Sequence, residues 1–249
     1  MSDNDCDLLM TQDLMDLFTT PREQRDEAWI EDFFDVVPTA GLMALDPQLQ
    51  RGPDGFPYVS FSLPRKNQEF DGFSVAHSID YCLKNGCGIV IFKDPDSLEM
   101  PEWIFTFGNL WAYKQYGNFI GDPDAAANAP ETTADTTDVT PAPETEADKD
   151  QAREVTVEPP TAEHLPDYAR NAISRFLREV TGLKTPKVAM ITDPTSKPSH
   201  SLVFTDLLPE RFEKEEHFVQ LMTAIRWFLP ATSKLMVAVP QLAQFAQPL

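Results

Sequence analysis

Apolar positions along this chain fall into two stretches, and residues 122–163 between them contain no Phe, Trp, Tyr, Leu, Ile or Met. In the first stretch, Leu14, Met15, Leu17 and Phe18 fit a short helix over residues 11–18. Thr20-Pro21-Arg22-Glu23 has the form of a capping box: a hydroxyl, a proline at the first helical position and a glutamate three residues after the cap. It predicts a helix starting there, with Ala28, Trp29, Ile30, Phe33, Phe34 and Val37 inward and Pro38 limiting it. Residues 42–45 predict a short strand and 51–55 a turn. Residues 56–63 alternate, with Tyr58, Ser60 and Ser62 on one face and Val59, Phe61 and Leu63 on the other, the pattern of a half-buried strand. Ser74 caps a helix carrying Val75, Ala76, Ile79, Cys82 and Leu83, and Asn85-Gly86 ends it. Strands at 88–92 and 103–107 follow, while 108–119 is too aromatic and too short to assign.

The second stretch opens with an amphipathic helix over 164–180. Strands at 187–192 and 201–207, a helix over 209–229 and a strand at 235–239 follow, the order α-β-β-α-β. A helix between two strands crosses over their sheet, so each stretch predicts a small sheet covered by helices. The fold class is α/β (α+β): two small domains, each a short mixed sheet with helices packed on it, joined by a disordered acidic tether. The expected boundaries are 1–19 for a flexible N-terminal segment, 20–121 for the first domain, 122–165 for the linker and 166–249 for the second domain.

The segments "ISRFLREV", "KVAMITD", "SLVFTDL" and "LMTAIRWFLPATSKLMVAVP" resemble the C-terminal domain of the bacterial SseB family, named for enhanced serine sensitivity. "PYVSFSL" followed by "SIDYCLKNGCGIVIF" is similar in kind to that family's first domain. The resemblance covers both halves in outline, is one of pattern, and leaves the acidic tether outside. It implies a soluble bacterial protein without known catalytic residues or cofactors.

Charge sharpens the division. The formal net charge is −20, of which residues 1–121 contribute −12 and residues 122–165 a further −10, while residues 166–249 are slightly basic at +2. Like charges and prolines at this density hold a segment extended, and so few apolar residues cannot offset the entropy of ordering a backbone. An acidic chain is repelled by nucleic-acid phosphates and anionic lipid, so the expected partner is another protein of basic character, with no direct nucleic-acid or membrane binding. Three cysteines without framework spacing, an acidic start and no apolar run of transmembrane length make the expected location cytoplasmic.

Candidate chemistry is sparse. His77, Cys82 and Cys87 lack the Cys-x2-Cys pairing and fourth ligand of structural zinc, so no metal and no cofactor is expected. A thiol nucleophile at Cys87 would need a base, which His77 with Asp80 supplies in sequence; the plainer reading makes Cys82 a small core hydrophobe and Cys87 a loop residue. Trp103, Trp111 and Tyr113 are candidates for an exposed binding patch, weighed against core packing. The reading these observations favour is a non-enzymatic bacterial protein-interaction module, acting as regulator, adaptor or cognate binder. Its alternatives are a thiol-dependent hydrolase using Cys87 and His77, and an acidic nucleic-acid mimic.

Overall fold

Helix starts and stops are set by short polar side chains and glycines at the places the chain offers them. In a computed structural model, which describes residues 6–65, 70–96, 100–122 and 155–249, Asp7 caps helix α1 (Leu8–Leu17) by accepting from the amides of Leu9 and Met10. The helix expected over 11–18 thus starts earlier, at Leu8, and Leu14 and Phe18 bury its inner side. Helix α2 (Glu27–Val36) is capped by Asp26, which accepts from the Trp29 amide at 3.0 Å. The capping box expected at Thr20 does not form, and Arg22–Gln24 make a single 3-10 turn instead. That turn frees Arg25 to donate to the Thr20 carbonyl, to pair with Glu102 at 2.6 Å and to lie 4.6 Å from the Trp29 ring centre.

The remaining elements of the first half are β1 (Leu42–Arg51), β2 (Pro57–Ser62), β3 (Gly72–Phe73), α3 (Val75–Asn85), β4 (Gly88–Phe92), β5 (Trp103–Phe105) and α4 (Phe107–Tyr116). The sheet order is β3-β1-β2-β4-β5. β2 and β4 run parallel, with α3 as the crossover between them, and the other pairings are antiparallel. β1 outruns its expected end because its pairing with β2 resumes after a register shift between Ala44 and Leu49. α3 starts and stops as expected: Ser74 accepts from the His77 amide, and Gly86 adopts φ +71° as the left-handed cap. β2 departs from expectation, because Ser60 and Ser62 are as buried as Val59 and Phe61. It lies in the middle of the sheet with both faces covered, so the alternation marks side-chain size and not exposure.

α4 occupies the start of the stretch left unassigned, held by a reciprocal cap between Thr106 and Asn109. Its second residue, Gly108, lies so close to Leu229 that a Cβ there would stand 1.9 Å from the Leu229 carbonyl oxygen.

The second half contains β6 (Thr156–Glu158), α5 (Asp167–Thr181), β7 (Lys187–Thr192), β8 (His200–Phe204), α6 (Glu215–Arg226), β9 (Lys234–Met236) and β10 (Gln247–Pro248). The α-β-β-α-β order is present in α5 through β9, with β8 and β9 parallel across α6. The helix expected over 209–229 is broken: Pro209–Arg211 form a 3-10 turn and Phe212 is extended before α6 begins. β6 lies inside the range read as linker and pairs antiparallel with β7. Most of that range, residues 123–154, lies outside the described residues, and with it the expectation of a disordered tether.

The fold is mixed α/β with two sheets, in two units: Met1–Phe119 with Ile225–Pro230, and Ile120–Ala224 with Ala231–Leu249. The first unit is centred on an aromatic core in which Phe33 stacks on Trp29 at 5.2 Å and meets Trp103 at 4.5 Å, while Phe105 meets Phe119 at 4.4 Å. Trp227, counted in this unit, stacks on Phe56 at 4.2 Å and donates its indole N–H to the Tyr58 hydroxyl at 2.8 Å. Tyr58 in turn donates to Asp54 at 2.5 Å, and burial followed by that carboxylate drives the phenol's pKa well above its ordinary value. In the second unit, Ala172, Ile173 and Leu177 of α5 are buried, as are Val188 to Met190 of β7 and Leu202 to Phe204 of β8.

Candidate functional site

Two helices of the first unit carry the same five-residue pattern: Asp13-Leu-Met-Asp16-Leu17 on α1 and Asp32-Phe-Phe-Asp35-Val36 on α2. Residues three and four apart share a helix face, so each helix sets two carboxylates and one aliphatic side chain along one line. The residues between them, Leu14 on α1 and Phe33 on α2, turn inward and are fully buried. The Trp29 indole ties the helices together by donating to the Leu17 carbonyl at 3.0 Å. The result is a groove of about 430 Å³ lined by Asp13, Asp16, Leu17, Thr20, Asp32, Asp35 and Val36.

Its charge is uncompensated. Residues 7–37 hold nine acidic side chains against Arg22 and Arg25. Both arginines face Glu102, Arg25 at 2.6 Å and Arg22 at 3.6 Å. Among the described residues, no cation stands within salt-bridge distance of Asp13, Asp16, Asp32 or Asp35. Nor is any group of three or more His, Cys, Asp or Glu among the described residues placed to hold a metal ion. The groove therefore sets two aliphatic side chains and a hydroxyl among four carboxylates, a lining that suits an amphipathic, basic surface.

The thiol candidates sit elsewhere. Cys87 is 1% exposed, and its thiol points at the Cys82 carbonyl, 3.7 Å away. Cys82 is fully buried, and its hydrogen bond with Cys87, reinforced by burial, pushes its pKa far up, which keeps Cys82 a neutral core thiol. His77 lies exposed on α3, while Asp80 is exposed and paired with Lys114. The structure thus places the proposed base on the solvent side of α3 and the proposed nucleophile in the interior.

The three aromatic candidates do not form one patch. Trp103 is half-buried against Phe33, Phe34 and Trp29. Trp111 is 2% exposed and donates to Gln115 at 2.6 Å. Tyr113 stacks on Phe119 at 4.5 Å. No single segment marks the groove, because its carboxylates come from two helices. The repeated Asp-x-x-Asp-aliphatic pattern is the signal that marks it.

No family model, no curated protein and no solved structure matches this chain. Among the described residues, no helix is long and apolar enough to cross a membrane.

Proposed function

We propose that this chain is a non-enzymatic protein-interaction module, and that the α1–α2 groove takes a basic, amphipathic segment of a partner protein. One observation carries the reading: among the described residues, four aspartates without a cationic neighbour line one groove together with Leu17, Thr20 and Val36. A folded unit that holds like charges together loses stability through their repulsion, and a cationic partner removes that cost on binding. The pattern shared with the SseB family points the same way, toward a bacterial protein without catalytic residues, serving as regulator, adaptor or cognate binder. A thiol-hydrolase role asks Cys87 to reach a substrate, against its burial.

Calorimetric titration with a synthetic Leu/Lys amphipathic helical peptide, and with its Leu/Glu counterpart, tests the proposal. The Leu/Lys peptide binds the unaltered chain and the Leu/Glu peptide does not. With Asp13, Asp16, Asp32 and Asp35 all changed to Asn, four exposed pairs at about 0.5 kcal/mol each are lost, roughly a 30-fold weakening. Equal affinity for the two peptides, or an unchanged affinity in the fourfold variant, overturns the groove as the binding site.

A further inference from the structure

In the second unit, two imidazoles meet. His164 precedes α5, and His200 opens β8; their ring centres are 4.1 Å apart at an angle of 43°. Each ring is held by a hydroxyl at its Nδ1: Thr161 lies 2.8 Å from His164 and Ser199 lies 3.0 Å from His200. Thr161 and His164 belong to a turn closed by the Leu165 amide donating to the Thr161 carbonyl. That turn continues the chain from β6, whose Thr156 pairs with Thr192 of β7, and Thr192 pairs in turn with His200. The ring contact is thus one attachment of residues 155–165, beside the β6–β7 ladder and the bonds that Arg170 and Gln247 donate to the Pro160 carbonyl.

We infer that His164 and His200 form a pH-sensitive catch, holding residues 155–165 against the sheet when neutral and loosening them when both rings are charged. Two imidazolium ions at this separation repel each other. The charged groups acting on His200 are His164 and Glu163 from the turn and Glu158 from β6; Ser199 is its neighbour on its own chain, and Thr192 lies across from it on β7. The two glutamates favour the charged ring and offset part of the repulsion, but burial and His164 prevail, so the His200 pKa lies below its ordinary 6.5. A depressed histidine pKa means that the unfolded or released state binds the proton more tightly. The catch's contribution is therefore complete above about pH 6.5 and is lost as the pH falls from there through the folded pKa.

Hydrogen exchange on the full chain, corrected for intrinsic rates, tests this by comparing about pH 7.5 with about pH 5. Protons bind the released state more tightly than the held one, so protection of residues 155–165 falls relative to the β7–β8 pair as the pH is lowered. In H164Q that pH-dependent fall disappears. Protection that does not change with pH, or a fall that persists in H164Q, overturns the inference. Should H164Q not fold, an NMR titration of the unaltered chain decides: a His200 ring that titrates at or above 6.5 refutes the catch.

Discussion

Replacing Gly108 with alanine pits two effects of opposite sign against each other. Gly108 is the second residue of α4, and alanine in place of glycine within a helix stabilises by about 1 kcal/mol. The added Cβ would lie 1.9 Å from the Leu229 carbonyl oxygen and 2.3 Å from its carbon, where ordinary contact begins at 3.4 Å. Both obstacles are backbone, so the strand of chain through Leu229 must retreat by about 1.5 Å, a distance no rotamer change supplies. Retreat breaks the Gly108 amide's bond to the Trp227 carbonyl, at 3.1 Å, and unseats Trp227, Phe228 and Leu229, all less than 9% exposed. Full loss of one such aromatic costs about 3–5 kcal/mol, so the net effect of G108A is a loss of about 2–4 kcal/mol after the helical gain. Urea denaturation followed by tryptophan fluorescence measures it. The double variant G108A/W227A adds little beyond the larger single effect, because both act on one seat. A G108A protein as stable as the original, or more so, would show that Leu229 does not lie against α4 and would refute the reasoning.

Two further outcomes follow from the buried polar groups. Y58F leaves the Trp227 indole N–H without its acceptor in a buried site and lowers stability by about 1–3 kcal/mol in the same denaturation assay; no change means that the indole finds another partner. At neutral pH, iodoacetamide labels half-buried Cys6 well before Cys82 or Cys87, which react only after denaturation; mass spectrometry of timed samples checks the order, and fast labelling of Cys87 slowed by H77A restores the enzyme reading.

What the sequence made legible depended on how one-sided each element is. α3 was readable in full because Ser74 and Gly86 punctuate it and its apolar residues fall on one side. β4 was readable because Gly88 to Phe92 is apolar and buried throughout. α4 escaped because its polar residues Asn109, Lys114 and Gln115 are spread around the helix among the aromatic ones, leaving no polar face to set a period. β6 escaped because Thr156 and Glu158 are exposed and only Val157 is half-buried, so its pairing with β7 leaves almost no mark on composition. Thr20 misled for a local reason: two good caps stood six residues apart, and Asp26 was the one that let Arg25 reach Glu102. The histidine pair could not be read at all, since its members stand 36 positions apart with α5 and β7 between them.

The seat of Trp227 has a consequence for how the chain is made. Phe56, Tyr58 and Phe107 are synthesised early, yet the ring that covers them follows Tyr58 by 169 positions. At a translation rate of about 5–20 residues per second, the nascent first unit waits on the order of ten seconds or more before that ring leaves the ribosome. Through that interval its aromatic surface is open to whatever else in the cell binds exposed rings. A premature stop upstream of Ile225 would make that exposure permanent, turning a late-arriving six-residue stretch into the step on which quality control of the N-terminal unit depends.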